Sequence, residues 1–340
     1  YTKFIELQEE RKKVIDLLNN MNSLLTLKAE LQNFQLKENY YSSDIKSFIN
    51  EYVNNPLYSD SNIKSKKAQS LCYYIKMFFF FIQHDYNGGF LNMQKYYEFY
   101  HSCPEFFSLE EYLQLLNNFL YYSCLMNDEK TFNKLMNEFK EIKNYSKEFE
   151  VYINNVVFYR TLQLYHRLQK FKEAEIIAIE AELFIEKNKH IIETIDINYL
   201  QLLIIIAYID NKNFDAANRY ANKRYRTRVY ESNSSLVKLF EFLIQYKLGN
   251  LEGLVYSVNS WAKIVGKKRK QNPIERCLFK FFRTICNVGD NNEKKELIRK
   301  VISQLNEIKK IDEKYYINHF FDFADWFENE LKEIEVPQTQ

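Results

Sequence analysis

Apolar residues return at helical spacing along most of this chain. In one representative segment they recur every three or four residues, so they can bury only one face of a helix. These residues are Phe132, Leu135, Met136, Phe139 and Ile142. From about residue 108 onward, such segments come in pairs separated by short clusters of Asn, Asp, Lys or Gly. The pattern predicts antiparallel helix pairs that must pack on their neighbours to cover their apolar faces.

Four large apolar residues, each expected to seal the turn within a helix pair, indicate that the pairs repeat. Taken as equivalent, they lie 39, 43 and 37 residues apart: Phe132, Phe171, Phe214 and Leu251. Another apolar residue follows each of them three positions later, and in two units it is an alanine. A small residue there lets the second helix of a pair approach the first closely. The sequence therefore predicts an all-α superhelix, or solenoid, of antiparallel helix pairs.

Two segments and one turn carry a resemblance to a known family. The first segment has Tyr165, Leu168, Phe171, Ala174 and Ala181, and the second keeps Tyr208, Phe214 and Ala217. The turn begins with the pair Leu248-Gly249. On these residues the region 108–310 resembles the tetratricopeptide-repeat superfamily, although its spacing is longer than that family's repeat of about 34 residues. The resemblance implies a right-handed superhelix whose first helices line a concave groove.

The patterns divide the chain into three predicted parts. Residues 1–107 form a helical region that divergent repeats would explain, 108–310 form the helix-pair array, and 311–340 form a C-terminal capping helix and tail. Within the first part, apolar spacing predicts helices over 4–18, 24–36, 45–53, 63–84 and 90–101. Asn87-Gly88-Gly89 is predicted to be a flexible turn before the last of these helices.

Composition supports a helical fold. The chain is 46% hydrophobic and 27% charged, and its 6 Gly and 4 Pro are too few for a turn-rich β fold. The net charge of +2 by itself indicates neither binding to nucleic acid nor binding to an anionic membrane. No apolar stretch approaches the ~20 residues of a membrane span. Five widely spaced cysteines are expected to be buried thiols in a reducing compartment, which favours the cytoplasm. The alternative of a leader sequence removed ahead of Tyr1 is left open.

No catalytic, cofactor-binding or metal-binding residue is predicted. The five histidines stand far apart, and no pair has the spacing that places two ligands on one helix face. Glycine-rich phosphate loops and nucleophile elbows do not occur in the sequence. An acidic ladder at Asp322, Asp325 and Glu328 is interpreted as a solvated helix face. We therefore expect a protein that is not an enzyme and has no small-molecule substrate.

The resemblance implies a binding surface on the first helices. The positions expected to face its groove are Tyr159, Gln163, His166, Arg167, Tyr199, Asp210, Tyr246 and Lys247. This mixed polar and aromatic lining suits an extended peptide that is held by side-chain anchors. The leading hypothesis is therefore a scaffold that binds a protein or peptide partner.

Two basic clusters leave a second hypothesis open. They comprise Arg219, Lys223, Arg224, Arg226 and Arg228, and then Lys263, Lys267, Lys268, Arg269 and Lys270. Cations at helix ends complement the helix dipole, which is the simpler interpretation. The alternative is a basic edge that grips the phosphates of a nucleic acid while tyrosines stack on its bases. A third hypothesis is a regulatory module that senses a signalling peptide by changing its superhelical pitch.

Overall fold

The computed structural model describes residues 2–36, 62–142, 146–192, 198–222, 231–268, 273–311 and 321–335. Within these ranges the regular structure is helical and no strand occurs, so the prediction of an all-α fold is confirmed for them. The chain divides into two compact units, unit 1 (Tyr1–Lys143) and unit 2 (Asn144–Gln340). The part boundaries expected after residues 107 and 310 stay predictions.

Five α-helices lie in the described part of unit 1, and each packs on the next. They are α1 (Thr2–Leu36), α2 (Lys66–Gln83), α3 (Tyr86–Ser102), α4 (Leu109–Leu125) and α5 (Glu129–Glu141), with a short 3-10 helix at Pro104–Phe106. The helices expected over 4–18 and 24–36 are one continuous helix, because no helix-breaking residue separates them. The helix expected over 45–53 lies outside the described residues.

The predicted flexible turn at Asn87-Gly88-Gly89 is wrong, since these residues form the first turn of α3. The Asp85 side chain caps the helix by accepting a hydrogen bond of 2.8 Å from the Gly88 N–H. Gly89 instead serves close packing, because a Cβ at this position would lie 2.1 Å from the ring of Tyr122. That ring is buried, and its hydroxyl donates to the Met77 carbonyl at 2.7 Å.

Unit 2 contains four helix pairs, one short helix and a final helix among its described residues. The helices are α6 (Lys147–Arg167), α7 (Phe171–Lys187), α8 (Lys189–Ile192), α9 (Asn198–Asp210), α10 (Phe214–Asn222), α11 (Glu231–Lys247), α12 (Leu251–Lys268), α13 (Pro273–Ile285), α14 (Asn291–Ile311) and α15 (Phe323–Glu335). In the pairs α6–α7, α9–α10, α11–α12 and α13–α14, the two helices pack on each other. The first helix of each pair also packs on the first helix of the next. Because helices surround α9 in this way, its residues 202–209 are all buried.

One backbone turn recurs between the helices of the pairs. In each such turn one residue has a left-handed backbone conformation. These residues are Asn127, Gln169, Lys212 and Gly249, with φ of 54°, 57°, 59° and 68°, respectively. The next N–H then donates to the carbonyl five residues earlier, as from Lys170 to Tyr165 at 2.9 Å. This is the hydrogen bond of a Schellman C-cap, which ends a helix and reverses the chain. In this register Glu129, not Phe132, corresponds to Phe171, so the repeat position assigned to Phe132 is wrong by three residues.

Polar side chains join the second pair of unit 2 to the pair before it. Tyr208 of α9 donates a hydrogen bond to the buried carboxylate of Glu182 on α7. In the turn after α9, Asn211 and Asn213 both donate to Glu175 of α7, the latter at 2.6 Å. These bonds fix the stacking of one pair on the next, and they use the tyrosine and the turn that carry the family resemblance.

The five cysteines are free thiols, four of them buried and Cys286 half-buried. Among the helices described, none combines the length and the apolar character that crossing a membrane requires.

Candidate functional site

An open cleft of about 630 Å³ lies in unit 2. One side consists of the ends of α6, α9 and α11 with the turns that follow them, and the other side is the polar face of α15. Three half-buried aromatic rings line it, those of Phe171, Phe214 and Trp326. Apolar walls with a few charged groups are typical of binding sites.

The final helix is held in place by buried aromatic residues of its own and of the segment just before it. Phe321, Phe323 and Phe327 are 3%, 1% and 0% exposed, respectively. The ring of Phe323 stacks on Phe240 at 5.4 Å, and the ring of Phe327 meets Phe281 edge-on at 4.6 Å. Burying each of these rings contributes about 2 kcal/mol, so α15 is an integral part of unit 2. Helical spacing then turns Asp325, Asn329 and Glu333 toward the cleft.

Lys247, at the end of α11, is the central cation of the cleft. Its side chain is 18% exposed, and its ammonium donates to Glu330 and, at 3.1 Å, to Glu333 of α15. It also lies 5.6 Å from the ring centre of Phe214 and 5.9 Å from that of Trp326. Burial alone would lower the pKa of Lys247, but the two carboxylates outweigh it and raise this pKa.

Two further contacts complete this network of charges. Tyr246 donates to Glu330 at 3.0 Å, and burial together with the negative charge raises the pKa of Tyr246. Lys212 donates to Glu333 at 2.5 Å, and this bond is the main reason that the pKa of Glu333 is lowered. The network therefore ties the ends of two helix pairs to α15.

A histidine and a carboxylate form a second pair beside the network. His166 Nδ1 lies 2.5 Å from Asp210 Oδ2, with the side chains 22% and 9% exposed, and the imidazole stacks on Phe321 at 6.2 Å. Such a pair can orient a general base, but hydrolysis by covalent catalysis needs a nucleophile beside it. No Ser, Thr or Cys occurs among the described residues that line the cleft. In the part of the chain that is described, no group of three or more His, Cys, Asp or Glu is arranged to hold a metal ion.

Half of the predicted groove residues meet at this cleft. His166, Arg167, Asp210 and Lys247 line it, and Tyr246 is buried beside it. The other three positions, Tyr159, Gln163 and Tyr199, lie outside its lining. Gln163 is 4% exposed and accepts a hydrogen bond from Arg160 at 2.8 Å, so it belongs to the interior of unit 2.

The contribution of α15 to the cleft was not predicted. Asp322 caps this helix by accepting from the Ala324 N–H at 3.0 Å, and it also pairs with Lys309 at 2.7 Å. Asp325 is exposed and lines the cleft, whereas Glu328 is half-buried away from it. The missed signal is that Trp326, Glu330 and Glu333 share one side of the helix, next to the apolar face of Phe323 and Phe327.

The basic clusters fall mostly outside the described residues. Arg219 on α10 and Lys263 on α12 are exposed. Lys267 and Lys268 lie within α12, but their side chains are outside the described set, as are the whole residues Lys223, Arg224, Arg226, Arg228, Arg269 and Lys270. Nucleic-acid binding and peptide sensing therefore stay predictions.

A polar cluster in unit 1 was also not predicted. The Glu138 carboxylate of α5 accepts hydrogen bonds from Tyr97 at 2.5 Å and from Tyr112, and His101 lies 3.4 Å away. Tyr100 stacks flat on Tyr112 with ring centres 4.0 Å apart. Burial, followed by the bond to Glu138, raises the pKa of Tyr97. Since the cluster joins α3, α4 and α5, we interpret it as a structural cross-link.

No family model matches this chain, and neither a curated protein nor a solved structure matches it.

Proposed function

We propose that this protein is a non-enzymatic scaffold, a right-handed superhelix similar to tetratricopeptide repeats, which binds a peptide segment of a protein partner. The packing of each first helix on the first helix of the next pair supports this architecture. So does the recurrence of one Schellman-type turn within the pairs.

The cleft in unit 2 is the observation that carries the proposal. Its volume of about 630 Å³ accommodates a few residues of an extended peptide. The aromatic rings of Phe171, Phe214 and Trp326 offer apolar contacts, while Arg167 and Asp325 place charges of both signs at its wall. A partner segment that combines an apolar anchor with flanking polar side chains fits this lining.

Preorganisation of the cleft favours specific recognition. Buried aromatic rings anchor α15 in the core of unit 2. Lys247 and Lys212 also bind this helix through ion pairs with Glu330 and Glu333, respectively. Binding therefore requires little ordering of the protein, which reduces the entropic cost of association.

A selection with a matched pair of variants tests the proposal. We would select binders from a random dodecapeptide display library on the full chain and measure their affinity by calorimetry. Asn329→Trp fills the cleft from an exposed position of α15, while Asn259→Trp makes the same exchange on α12, outside the lining. We expect Asn329→Trp to weaken binding at least ~10-fold and Asn259→Trp to leave it unchanged.

Two results would contradict the proposal. The first is a failure of the library to yield any peptide of micromolar affinity. The second is equal affinity of the two variants, because the peptides would then bind elsewhere on the chain.

A further inference from the structure

The exposed face of α13 carries only positive charge. The exposed residues of this helix are Arg276, Lys280, Arg283 and Thr284. At about 100° per residue, the three cations fall within about 60° of one another around the helix axis, so they form one row, which we call the basic row of α13. The only acid of the helix, Glu275, is 6% exposed and belongs to its buried side.

The basic row differs from other cations of unit 2 in having no acidic partner. Four cations elsewhere in the unit form ion pairs with acids of α15 or of its N-cap, namely Lys212, Lys247, Arg299 and Lys309. No ion pair or side-chain hydrogen bond joins Arg276, Lys280 or Arg283 to another residue in the described part of the chain. The three charges are therefore available to an anion from outside the chain.

The sequence on both sides of α13 continues the same charge. From residue 253 to residue 289 the chain has eight Lys and Arg residues and one acid, although its net charge as a whole is only +2. Among them, Lys263 is exposed on α12, which packs on α13. Such a local excess of cations in a nearly neutral chain indicates a surface for a polyanion.

The composition of the exposed face indicates which polyanion it fits. A stable interface between proteins has an apolar core, but none of the exposed residues of α13 is apolar. Interfaces with nucleic acids are more polar and more positively charged. Single strands also stack their bases on aromatic rings, and no ring is exposed on α13. A duplex, in contrast, can bind through its phosphates alone.

We propose that the basic row of α13 binds the phosphate backbone of a double-stranded nucleic acid. From Arg276 to Arg283 the helix rises about 10 Å. Each strand of a duplex has one phosphate per about 3.4 Å of its axis, so a strand that lies along α13 presents about three phosphates to the three cations. Because phosphates carry no sequence information, binding does not depend on the base sequence.

Fluorescence anisotropy of labelled duplexes with the full chain tests the proposal. The probes are a DNA duplex and an RNA duplex of about 20 base pairs, and binding of either supports the proposal because both present phosphates. For three phosphate contacts, we expect the affinity to fall about 40-fold between 50 and 200 mM salt. Failure of both duplexes to bind at 50 mM salt, or an affinity that does not change with salt, would overturn the proposal.

A pair of variants assigns the binding to the basic row. Arg276→Gln, Lys280→Gln and Arg283→Gln together should weaken binding at 50 mM salt at least ~10-fold. They should also reduce the slope of log affinity against log salt concentration by about 2.7. The control variant removes the same total charge by exchanging three exposed lysines of unit 1 for glutamine, namely Lys95, Lys130 and Lys140. Equal losses in the two variants would mean that net charge, not the basic row, binds the duplex, and would overturn the proposal.

A polyglutamate peptide distinguishes a nucleic acid from an acidic protein as the partner. We expect this peptide to bind more weakly than the duplexes, and tighter binding would overturn the proposal. No residue of the basic row lines the cleft of unit 2. Duplex binding and peptide binding are therefore independent, and either can fail without the other.

Discussion

Replacing Lys247 with methionine should destabilise unit 2 strongly. The exchange keeps the length and apolar stem of the side chain and removes only its charge. Glu330 is then left 6% exposed with the Tyr246 hydroxyl as its remaining hydrogen-bond donor among the described residues. Breaking one side of a buried ion pair costs about 3–5 kcal/mol. We expect a loss near 3 kcal/mol, the low end, because Lys247 is 18% exposed and Tyr246 continues to donate.

Urea unfolding followed by tryptophan fluorescence measures this loss. The chain has two tryptophans, Trp261 and Trp326, so a Trp261→Phe background makes the signal report on α15. Lys300→Met makes the same exchange at an exposed position of α14 and should change stability by less than ~0.5 kcal/mol.

A double-mutant cycle separates the ion pair from general damage to the fold. Adding Glu330→Gln to the Lys247→Met variant removes the uncompensated buried charge and should restore at least ~1.5 kcal/mol. If Lys247→Met costs no more than Lys300→Met, or if Glu330→Gln restores nothing, the network does not hold α15 and the cleft is not preorganised as described.

Two further predictions concern unit 1. Gly89→Ala should lower the free energy of urea unfolding by about 1–3 kcal/mol, because the added Cβ would clash with the Tyr122 ring. Gly289→Ala is the control and should leave this free energy unchanged, since the space around Gly289 is open. Equal effects of the two variants would show that α3 and α4 are not in close contact. Burial raises the pKa of Tyr96 to about 12, so the folded state favours the neutral hydroxyl. The resulting stability, about 2 kcal/mol, is present below pH 10 and lost as pH rises to 12. Tyr96→Phe should therefore flatten the fall in stability over that range, and an unchanged slope would refute the assignment.

The helix pairs were predictable from sequence because their signals are local. Apolar spacing located α4, α5 and the four pairs of unit 2, and Ser108 with Glu111 forms the expected capping box. The register of the first turn was not predictable in the same way. Phe132 and Phe171 are both large and apolar, but only the left-handed residue before each helix, Asn127 or Gln169, fixes which positions correspond.

Half of the cleft could not be predicted because it depends on contacts between distant parts of the chain. Lys247 and Glu330 are separated by 83 residues, and no local pattern brings them together. The acidic residues of α15 resemble a solvated face until the buried Phe323 and Phe327 show which side of the helix is turned inward. The prediction of a flexible turn at Gly89 was wrong for the same reason, because Tyr122, against which Gly89 packs, lies on another helix.

Photo-cross-linking of a selected peptide to the full chain tests the binding cleft most directly. The peptide would carry a benzophenone beside its apolar anchor, and the cross-linked residues would be identified by mass spectrometry. We predict cross-links to the cleft walls at Phe171, Phe214 and the cleft-facing side of α15, all lost in Asn329→Trp. Cross-links confined to unit 1 or to the outer surface of α12 would contradict a peptide-binding cleft in unit 2.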